Sequence, residues 1–187
     1  MDHIPIIETQ RLVLRPWKKN KADAKALYSY AKDARIGPAA GWRVHRDVNE
    51  SLQIIRDILS TPGICAVTLK ETKSPVGSVG LTWGSTGRKY LKADEAELGY
   101  WIGAAHQRKG YALEAAQALI DFAFTQGEVQ TVWCAYYEGN EASARLQEKL
   151  GFIYDHTEEK TFVAPLNEYR TEHFTRLTKN RWEERKL

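Results

Sequence analysis

The sequence has few of the features that mark exported, membrane-embedded or disulfide-stabilised proteins. Its 187 residues include only two cysteines and six prolines, and no segment is rich or repetitive enough in proline and serine to act as a linker. No run approaches the roughly eighteen apolar residues that a membrane span needs. The first residues lack a basic stretch followed by an apolar run, as an export signal would require. We therefore expect a cytoplasmic protein that does not insert into membranes.

Motifs for several common chemistries are also missing. The chain has no Walker-type loop, no Gly-x-Gly-x-x-Gly, no Gly-x-Ser-x-Gly and no His-Glu-x-x-His. Its five histidines, at positions 3, 45, 106, 156 and 173, lack the spacing of metal ligands, so no metal site is expected. The 27 basic and 24 acidic residues are spread along the chain and leave a net charge of +3. That balance does not predict a nucleic-acid partner.

Length and composition indicate one globular domain with a substantial core. A chain of 187 residues with 43% hydrophobic residues suits one domain that buries about 70% of its unfolded surface. We expect the domain to occupy residues 1–187, with a core at about 8–178. Cys65 and Cys134 lie in apolar, strand-like runs, where buried free thiols are common.

Hydrophobic periodicity and turn residues predict an α/β, or α+β, chain with a mixed sheet. Strands are expected at 6–15, 64–70, 76–83, 95–103 and 129–136, and helices at 20–32, 48–59, 110–126 and 141–150. The first strands suggest an antiparallel meander. The strand, helix and strand over 95–136 form a βαβ unit, whose crossover requires two parallel strands. Ligands in such sheets bind beyond the carboxyl ends of the parallel strands.

The turn before the third helix is the most informative segment. An apolar strand ends in the pattern Gln107-x-x-Gly110-x-Ala112, and a helix with apolar residues at three- and four-residue spacing follows directly. The unpaired N–H groups of a first helical turn and the positive end of the helix dipole attract phosphate, and a glycine lets the backbone come close. The turn is therefore a candidate anion site.

With its neighbouring segments, this turn resembles the coenzyme A pyrophosphate loop of the GNAT acetyltransferases. Residues 97–102 before it and 140–152 after it are also similar to that superfamily. Residues 8–15 and the closing run to Trp182 resemble more narrowly the RimJ/RimL branch, which acetylates protein N-termini and other primary amines. This chain carries Arg108 where that branch commonly has a second glycine.

The resemblance implies a GNAT-like single domain with flanking helices, a mostly antiparallel sheet and a parallel strand pair that splays apart. It implies acetyl-CoA as co-substrate, with no metal. The residues that would bind it are Trp101, Ile102 and Gly103 along the pantetheine arm, Gln107, Arg108, Lys109, Gly110, Tyr111 and Ala112 at the phosphates, and Asn140. Asn140 is equally a good N-cap for the helix that follows it.

Acetyl transfer needs a deprotonated amine and a proton donor for the leaving thiolate. In a strand, Glu95, Glu97 and Trp101 share one face, so a carboxylate can project into the cleft. By resemblance Glu97 is the candidate base, with Glu95 in reserve. Ser143, in the first turn of its helix, is the candidate thiolate donor. Tyr136 and Tyr137 are alternative donors, although aromatic residues at a strand end more often pack.

In the family that the chain resembles, the loop between the first two helices forms one wall of the acceptor site. It contains Trp42, Arg43, His45 and Arg46, of which Trp42 and His45 are the candidate substrate contacts. The function expected by resemblance is transfer of acetyl to a primary amine, foremost a protein or peptide N-terminus such as that of a ribosomal protein, by direct attack in a ternary complex. A small-amine acetyltransferase and a non-catalytic coenzyme A sensor are the alternatives. The protein is expected to be a monomer or a homodimer.

Overall fold

The computed structural model describes residues 4–84, 91–126 and 128–185. The strands of these ranges are Ile7–Glu8 (β1), Leu12–Arg15 (β2), Ile64–Leu69 (β3), Pro75–Trp83 (β4), Glu95–Ile102 (β5), Thr131–Tyr137 (β6), Ile153–Val163 (β7) and Glu168–Thr178 (β8). The α-helices are Lys21–Ala31 (α1), Val48–Ile54 (α2), Tyr111–Gln126 (α3), Glu141–Leu150 (α4) and Lys179–Glu184 (α5). A π-helical turn, Ile55–Leu59, continues α2, and Pro38–Ala40 and Ala104–His106 are short 3-10 helices.

The strands form a mixed sheet in the order β1-β2-β3-β4-β5-β6-β8-β7. The pairs β1–β2, β2–β3, β3–β4, β6–β8 and β7–β8 are antiparallel, whereas β5 and β6 are parallel. Helix α3 is the crossover between the parallel strands, as the βαβ pattern predicts. The predicted mixed sheet with one parallel pair is therefore confirmed.

The chain divides into two compact units, of which the first is Met1–Gly80 with Tyr100–Ala118. Its antiparallel strands carry α1 and α2, which pack through a core of buried side chains. That core consists of Trp17, Ala24, Leu27, Ala31, Ile55 and Ala66. Helix α1 begins where the sequence predicts, because Asn20 caps it by accepting a hydrogen bond from the Asp23 N–H at 2.9 Å.

The continuous strand expected over residues 6–15 is in fact a hairpin. β1 and β2 pair antiparallel, with Ile7 opposite Leu14. The Thr9 side chain causes the reversal, because its Oγ1 accepts a hydrogen bond from the Leu12 N–H at 3.0 Å while the Thr9 N–H donates to the Leu12 carbonyl at 3.0 Å. Four consecutive polar residues, at positions 8–11, interrupt the apolar pattern at this turn, but they do not by themselves indicate that the chain reverses.

The second unit is Leu81–Gly99 with Leu119–Leu187. It contains the start of β5, the antiparallel strands β6, β8 and β7, and helices α4 and α5. Phe124 and Phe174 are its largest fully buried side chains. Helix α5 is anchored because Trp182 Nε1 donates to the Asp121 carboxylate at 2.7 Å. The thiols of Cys134 in this unit and of Cys65 in the first are buried and form no disulfide, as predicted.

Candidate active site

The turn between β5 and α3 lies in the first unit and is shaped by its own side chains and backbone. Gln107 Nε2 donates to the carbonyl of Ile102, the last residue of β5, at 2.9 Å. Arg108 and Gly110 have φ angles of 61° and 82°, both in the left-handed region. The Glu114 N–H donates to the Gly110 carbonyl at 3.0 Å as α3 begins. The N–H groups just ahead of it have no intrahelical partner and lie at the positive end of the helix dipole, so the turn suits a phosphate.

A residue from the β1–β2 hairpin holds this turn from one side. Arg11 forms an ion pair with Glu114 in the first turn of α3, with 2.7 Å between Nε and Oε2. Arg11 Nη1 donates to the Lys109 carbonyl at 2.9 Å, and the guanidinium lies 4.8 Å from the centre of the Tyr111 ring. Thr9 Oγ1 donates to the second Glu114 oxygen at 2.6 Å. The hairpin therefore contacts the turn at Lys109 and the first turn of α3 at Glu114.

Gly110 has two reasons to lack a side chain. Its φ of 82° is a conformation that L-residues adopt only with strain. A Cβ built at Gly110 would also lie 3.2 Å from Arg11 Nη2, a tight contact. Arg108, with φ 61°, adopts a similar conformation with its side chain present, which costs roughly 1–2 kcal/mol. The backbone at position 108 therefore favours glycine, although this chain carries arginine there.

The backbone of Gly103 is occupied within the protein. Its N–H donates to the Val76 carbonyl at 2.8 Å, and its carbonyl accepts from the His106 N–H at 2.8 Å. A Cβ on Gly103 would lie 2.3 Å from Cδ1 of the Tyr30 ring, so no larger residue fits beneath that ring. Gly103 therefore lacks a side chain because the Tyr30 ring occupies that space, and both of its backbone hydrogen bonds are made within the protein.

The His106 side chain lies between Tyr30 of α1 and the turn that precedes α3. His106 Nε2 lies 3.1 Å from the Tyr30 hydroxyl, and its ring centroid lies 6.5 Å from that of Tyr111. Burial and the nearby charge of Lys109 lower the pKa of His106 below its ordinary value, so the neutral ring is favoured at pH 7. Burial also raises the pKa of the Tyr30 hydroxyl, which therefore remains protonated.

The structure brings both candidate acceptor contacts, Trp42 and His45, together with Trp101. The Trp42 ring centroid lies 5.2 Å from that of His45 and 6.0 Å from that of Trp101, in an edge-to-face arrangement with Trp101. Trp17 stacks on Trp101 at 6.3 Å. The buried ring of Trp17 and the half-buried rings of Trp42 and Trp101 form an aromatic wall in the first unit, which we call the tryptophan wall.

His45 is fixed against this wall by hydrogen bonds on both sides. Its ring Nδ1 lies 2.9 Å from the hydroxyl of the fully buried Ser51, and its backbone N–H donates to the Ala31 carbonyl at 3.0 Å. Burial lowers the pKa of His45, and the charge of Glu50 offsets only part of that effect. A neutral, oriented imidazole results at pH 7.

The two candidate bases on β5 lie in the second unit and differ in their surroundings. Glu95 is buried, and its carboxylate accepts from the Lys92 N–H at 3.1 Å and faces the Lys92 ammonium at 3.8 Å. Glu97 is half-buried and pairs with Trp133 in the parallel ladder, which runs from Glu95 to Glu97 on β5. Glu95 is thus bound into the local loop, and Glu97 is the carboxylate at the end of the ladder.

The start of α4 combines a cap with a hydroxyl held by a buried amide. Asn140 caps the helix as predicted, because its Oδ1 accepts from the Ser143 N–H at 3.2 Å. The Ser143 hydroxyl oxygen accepts from Gln147 Nε2 at 3.1 Å. Gln147 lies one turn further along α4 and is 1% exposed. The Ser143 hydroxyl is therefore held by a buried side chain one helical turn further along.

The two tyrosines considered as alternative donors make ring contacts. The Tyr136 ring centroid lies 5.0 Å from that of His173, and the Arg170 guanidinium lies 5.0 Å from the centre of the Tyr137 ring. His173 and Arg170 both belong to β8, which pairs with β6. The contacts agree with the packing role that aromatic residues at a strand end commonly have.

Two classes of site are not seen in the described ranges. No group of three or more His, Cys, Asp or Glu residues within 4–84, 91–126 and 128–185 is arranged to hold a metal ion. Within the same ranges, none of the helices has the length and apolar character to cross a bilayer.

Residues 11–153 match the family model described as the acetyltransferase (GNAT) domain. The uncharacterized N-acetyltransferase p20 of Bacillus licheniformis is 32% identical over 152 residues, which cover 77% of this chain and 80% of that relative. The chain therefore belongs to the GNAT family, and it is an N-acetyltransferase.

Solved structures show the same fold. A GNAT-family acetyltransferase from Bacillus anthracis superposes with a TM-score of 0.80 at 21% identity, covering 94% of this chain and 99% of that one. The ribosomal-protein-S5-alanine acetyltransferase of Vibrio fischeri superposes with a TM-score of 0.70 at 19% identity, covering 96% of this chain and 99% of that one. The predicted GNAT fold is thus confirmed.

Two residues of the site were not found from the sequence. Arg11 lies in a motif that reads as part of a strand, and its ion-pair partner is 103 positions away. Gln147 lies in an amphipathic helix whose pattern places polar residues in solvent. A signal for Gln147 does exist, since it follows Ser143 by four residues and therefore faces the same side of α4.

Proposed function

We propose that this protein transfers the acetyl group of acetyl-CoA to a primary amine, and that the amine is the N-terminus of a protein or peptide. Membership of the GNAT family supports the use of acetyl-CoA. The acceptor is proposed by analogy with the ribosomal-protein acetyltransferase of Vibrio fischeri, whose fold the chain shares. The proposed domain is residues 1–187, with its core at about 8–178.

The observation that carries the cofactor proposal is the preformed turn before α3. Two left-handed residues, Arg108 and Gly110, separate β5 from a 16-residue helix whose first N–H groups have no intrahelical partner. We assign the phosphates to residues 107–112 and the pantetheine arm to Trp101, Ile102, Gly103 and Asn140. Arg108 and Lys109 would add positive charge beside the phosphates. Gln107 acts by holding the turn to Ile102.

In the proposed reaction the amine lone pair attacks the thioester carbonyl directly and the carbon–sulfur bond breaks. Glu97 accepts the proton that the amine loses, directly or through water. Ser143 donates a hydrogen bond or proton to the departing sulfur. Each contribution of this kind is worth on the order of 10²-fold or more in rate. Free coenzyme A and the acetylated amine are the products, and the enzyme forms no covalent intermediate.

The charges around the loop of residues 33–47 support an acceptor that is not a polycation. Asp33 pairs with Arg35, with 2.6 Å between Oδ2 and Nη2. Asp47 caps α2 by accepting from the Glu50 N–H at 2.8 Å, and Glu50 faces Arg46 at 3.2 Å. The carboxylates of this wall are thus engaged locally. A binding site for a polyamine would instead be expected to carry a cluster of carboxylates that are not paired with local cations.

The tryptophan wall supports an acceptor that presents more than a bare amine. Trp42 and the neutral, oriented His45 offer apolar surface and one hydrogen-bonding ring to whatever lies against them. A peptide N-terminus supplies both an apolar side chain and amide groups. We assign Trp42 and His45 to the side chain and backbone of its first residues.

Binding of acetyl-CoA tests the first part of this proposal. A ligand that binds only the native state stabilises it by about 2.7 kcal/mol at a hundredfold excess over its dissociation constant. Thermal unfolding should therefore shift upward with acetyl-CoA, and the shift should be smaller with pantetheine, which lacks the phosphates. No shift at millimolar acetyl-CoA would overturn the cofactor proposal.

A further inference from the structure

A buried hydrogen-bonded network joins α4 to β6 and β8 in the second unit, with Gln147 at its centre. Gln147 Nε2 donates to the Ser143 hydroxyl oxygen at 3.1 Å and to the Ala135 carbonyl at 3.2 Å. Its Oε1 accepts from the Thr175 hydroxyl at 2.7 Å. Thr175 also approaches the Cys134 carbonyl at 3.2 Å. Gln147 is 1% and Thr175 6% exposed, so water does not compete strongly for these bonds.

The chemistry of the partners fixes the orientation of the Gln147 amide. The Ala135 carbonyl can only accept a hydrogen bond, so it must face the NH₂ group. The Thr175 hydroxyl then faces the amide oxygen and donates to it. Both N–H bonds of Gln147 are thereby accounted for, one to Ala135 and one to Ser143. The Ser143 oxygen is an acceptor toward Gln147, and its single proton is directed away from Gln147.

We propose that Gln147 is a positioning residue that turns the Ser143 hydroxyl so that its proton faces the leaving sulfur. The inference rests on the proposed role of Ser143 as thiolate donor. A serine in the first turn of a helix can also donate to a backbone carbonyl of the preceding turn, and such a bond would withdraw its proton from the reaction. The hydrogen bond from Gln147 favours one rotamer before the substrates bind. It does so from a buried position and without touching substrate.

Two substitutions at the same site separate this role from packing. Gln147→Met keeps the length of the side chain and removes both donors. We expect it to lower kcat by roughly 3- to 10-fold, consistent with the loss of one ordering hydrogen bond of about 1 kcal/mol, with KM for acetyl-CoA nearly unchanged. Leu150→Val is the matched control, because it loosens the same helix at a fully buried residue outside the network. It should lower the melting temperature with little effect on kcat.

Gln147→Glu adds a signature in pH. An ionised carboxylate cannot donate to Ser143 and instead accepts its proton, so turnover should fall further than with methionine. As pH falls and the carboxyl group is protonated, it regains a donor. The ratio of variant to wild-type kcat should therefore rise toward low pH. A purely structural defect predicts no such recovery. Should the Glu variant fail to fold, Thr175→Val weakens the same network without burying a charge, and a several-fold loss of kcat is again expected.

A double-mutant cycle distinguishes the failure of this inference from that of the proposed function. If Gln147 acts through Ser143, Gln147→Met should cause no further loss of kcat in the Ser143→Ala background. Equal losses in both backgrounds would overturn the positioning role. If Gln147→Met has the wild-type kcat while Ser143→Ala has a lowered kcat, the positioning role of Gln147 is refuted but the proposed role of Ser143 is not. Wild-type kcat for Ser143→Ala would refute the assigned role of Ser143 and with it this inference.

Discussion

Arg11 and Glu114 lie 103 positions apart, and their side chains meet with 2.7 Å between Nε and Oε2. Although burial raises the pKa of Glu114, the hydrogen bonds from Thr9 and Arg11 lower it below its ordinary value overall. The carboxylate is therefore ionised at neutral pH and holds the β1–β2 hairpin against the first turn of α3. The conformation of the proposed phosphate turn thus depends on Arg11, the first residue of the segment that matches the family model.

The first prediction concerns this pair. Arg11→Ala should weaken acetyl-CoA binding by roughly tenfold or more, because the Lys109 carbonyl and the Glu114 carboxylate each lose a charged donor worth about 1.5–3 kcal/mol. Titration calorimetry measures the affinity, and KM for the acceptor amine should change less. Lys70→Gln is the control, since Lys70 also carries one positive charge near this hairpin but pairs with Glu8 at 3.1 Å. If both variants weaken acetyl-CoA binding equally, the effect comes from the lost positive charge and not from the hydrogen bonds by which Arg11 holds the turn.

The second prediction uses the backbone of Arg108. Arg108→Gly should raise the free energy of unfolding of the cofactor-free protein by up to about 1.6 kcal/mol. The relief of a left-handed residue is worth about 1–2 kcal/mol, and the greater freedom of glycine in the unfolded chain offsets about 0.4–1 kcal/mol of it. Arg108→Ala removes the same guanidinium but keeps Cβ, so it should bring no such gain. Denaturant unfolding of the three proteins decides the matter, and equal stabilities of the glycine and alanine variants would contradict it.

The third prediction follows from His45. Its pKa in the folded protein is lowered by burial from an ordinary value of 6.5, so the unfolded chain takes up the proton first as pH falls. Stability should therefore be full above that value and decline as pH drops below it. His45→Gln should make the free energy of unfolding depend less steeply on pH between about 7 and 5. The measurement is chemical denaturation across that range, and an unchanged slope would show that His45 does not titrate abnormally. His106, whose pKa is also lowered, contributes in the same direction.

The fourth prediction separates Glu97 from Ser143. Glu97→Gln should lower turnover by roughly 10²-fold while leaving acetyl-CoA affinity nearly intact, and the loss should shrink as pH rises and more amine is already neutral. Ser143→Ala should also lower turnover, but high pH should not restore it, because the leaving thiolate still needs its donor. Glu95→Gln is a useful comparison, since Glu95 is engaged by Lys92. Parallel pH–rate profiles for Glu97→Gln and Ser143→Ala would contradict the assigned roles.

Much of the fold was predictable because local signals agree with one another. The βαβ unit follows from an apolar strand, a glycine-containing turn and an amphipathic helix, and the length of the crossover requires the parallel pair that β5 and β6 form. Asn140 was predicted as an N-cap because a short polar side chain precedes the apolar stripe of α4, and the structure shows that bond at 3.2 Å.

The parts that escaped prediction depend on partners distant in sequence or on side-chain rotamers. The hairpin at Thr9 replaces an apparently continuous strand because one hydroxyl bonds across the turn at Leu12. The sequence pattern predicts that Gln147 lies at the surface, yet its side chain is buried. Its amide group can be buried because the Ala135 carbonyl accepts from it and the Thr175 hydroxyl donates to it. No pattern within α4 predicts these contacts with β6 and β8. The tryptophan wall likewise joins residues from three separate segments of the chain.

The most direct test of the central claim is the release of coenzyme A thiol from acetyl-CoA by the purified protein, with a panel of amines. The panel should include peptides with free N-termini, a polyamine and an aminoglycoside, and mass spectrometry should confirm the acetylated product. The account predicts thiol release with N-terminal peptides, one acetyl group per peptide at its α-amine, and no release with peptides whose N-terminus is already acetylated. Release with the polyamine or aminoglycoside alone would contradict the proposed acceptor. Binding of acetyl-CoA without turnover of any amine would contradict the assignment of this protein as an enzyme of peptide acetylation.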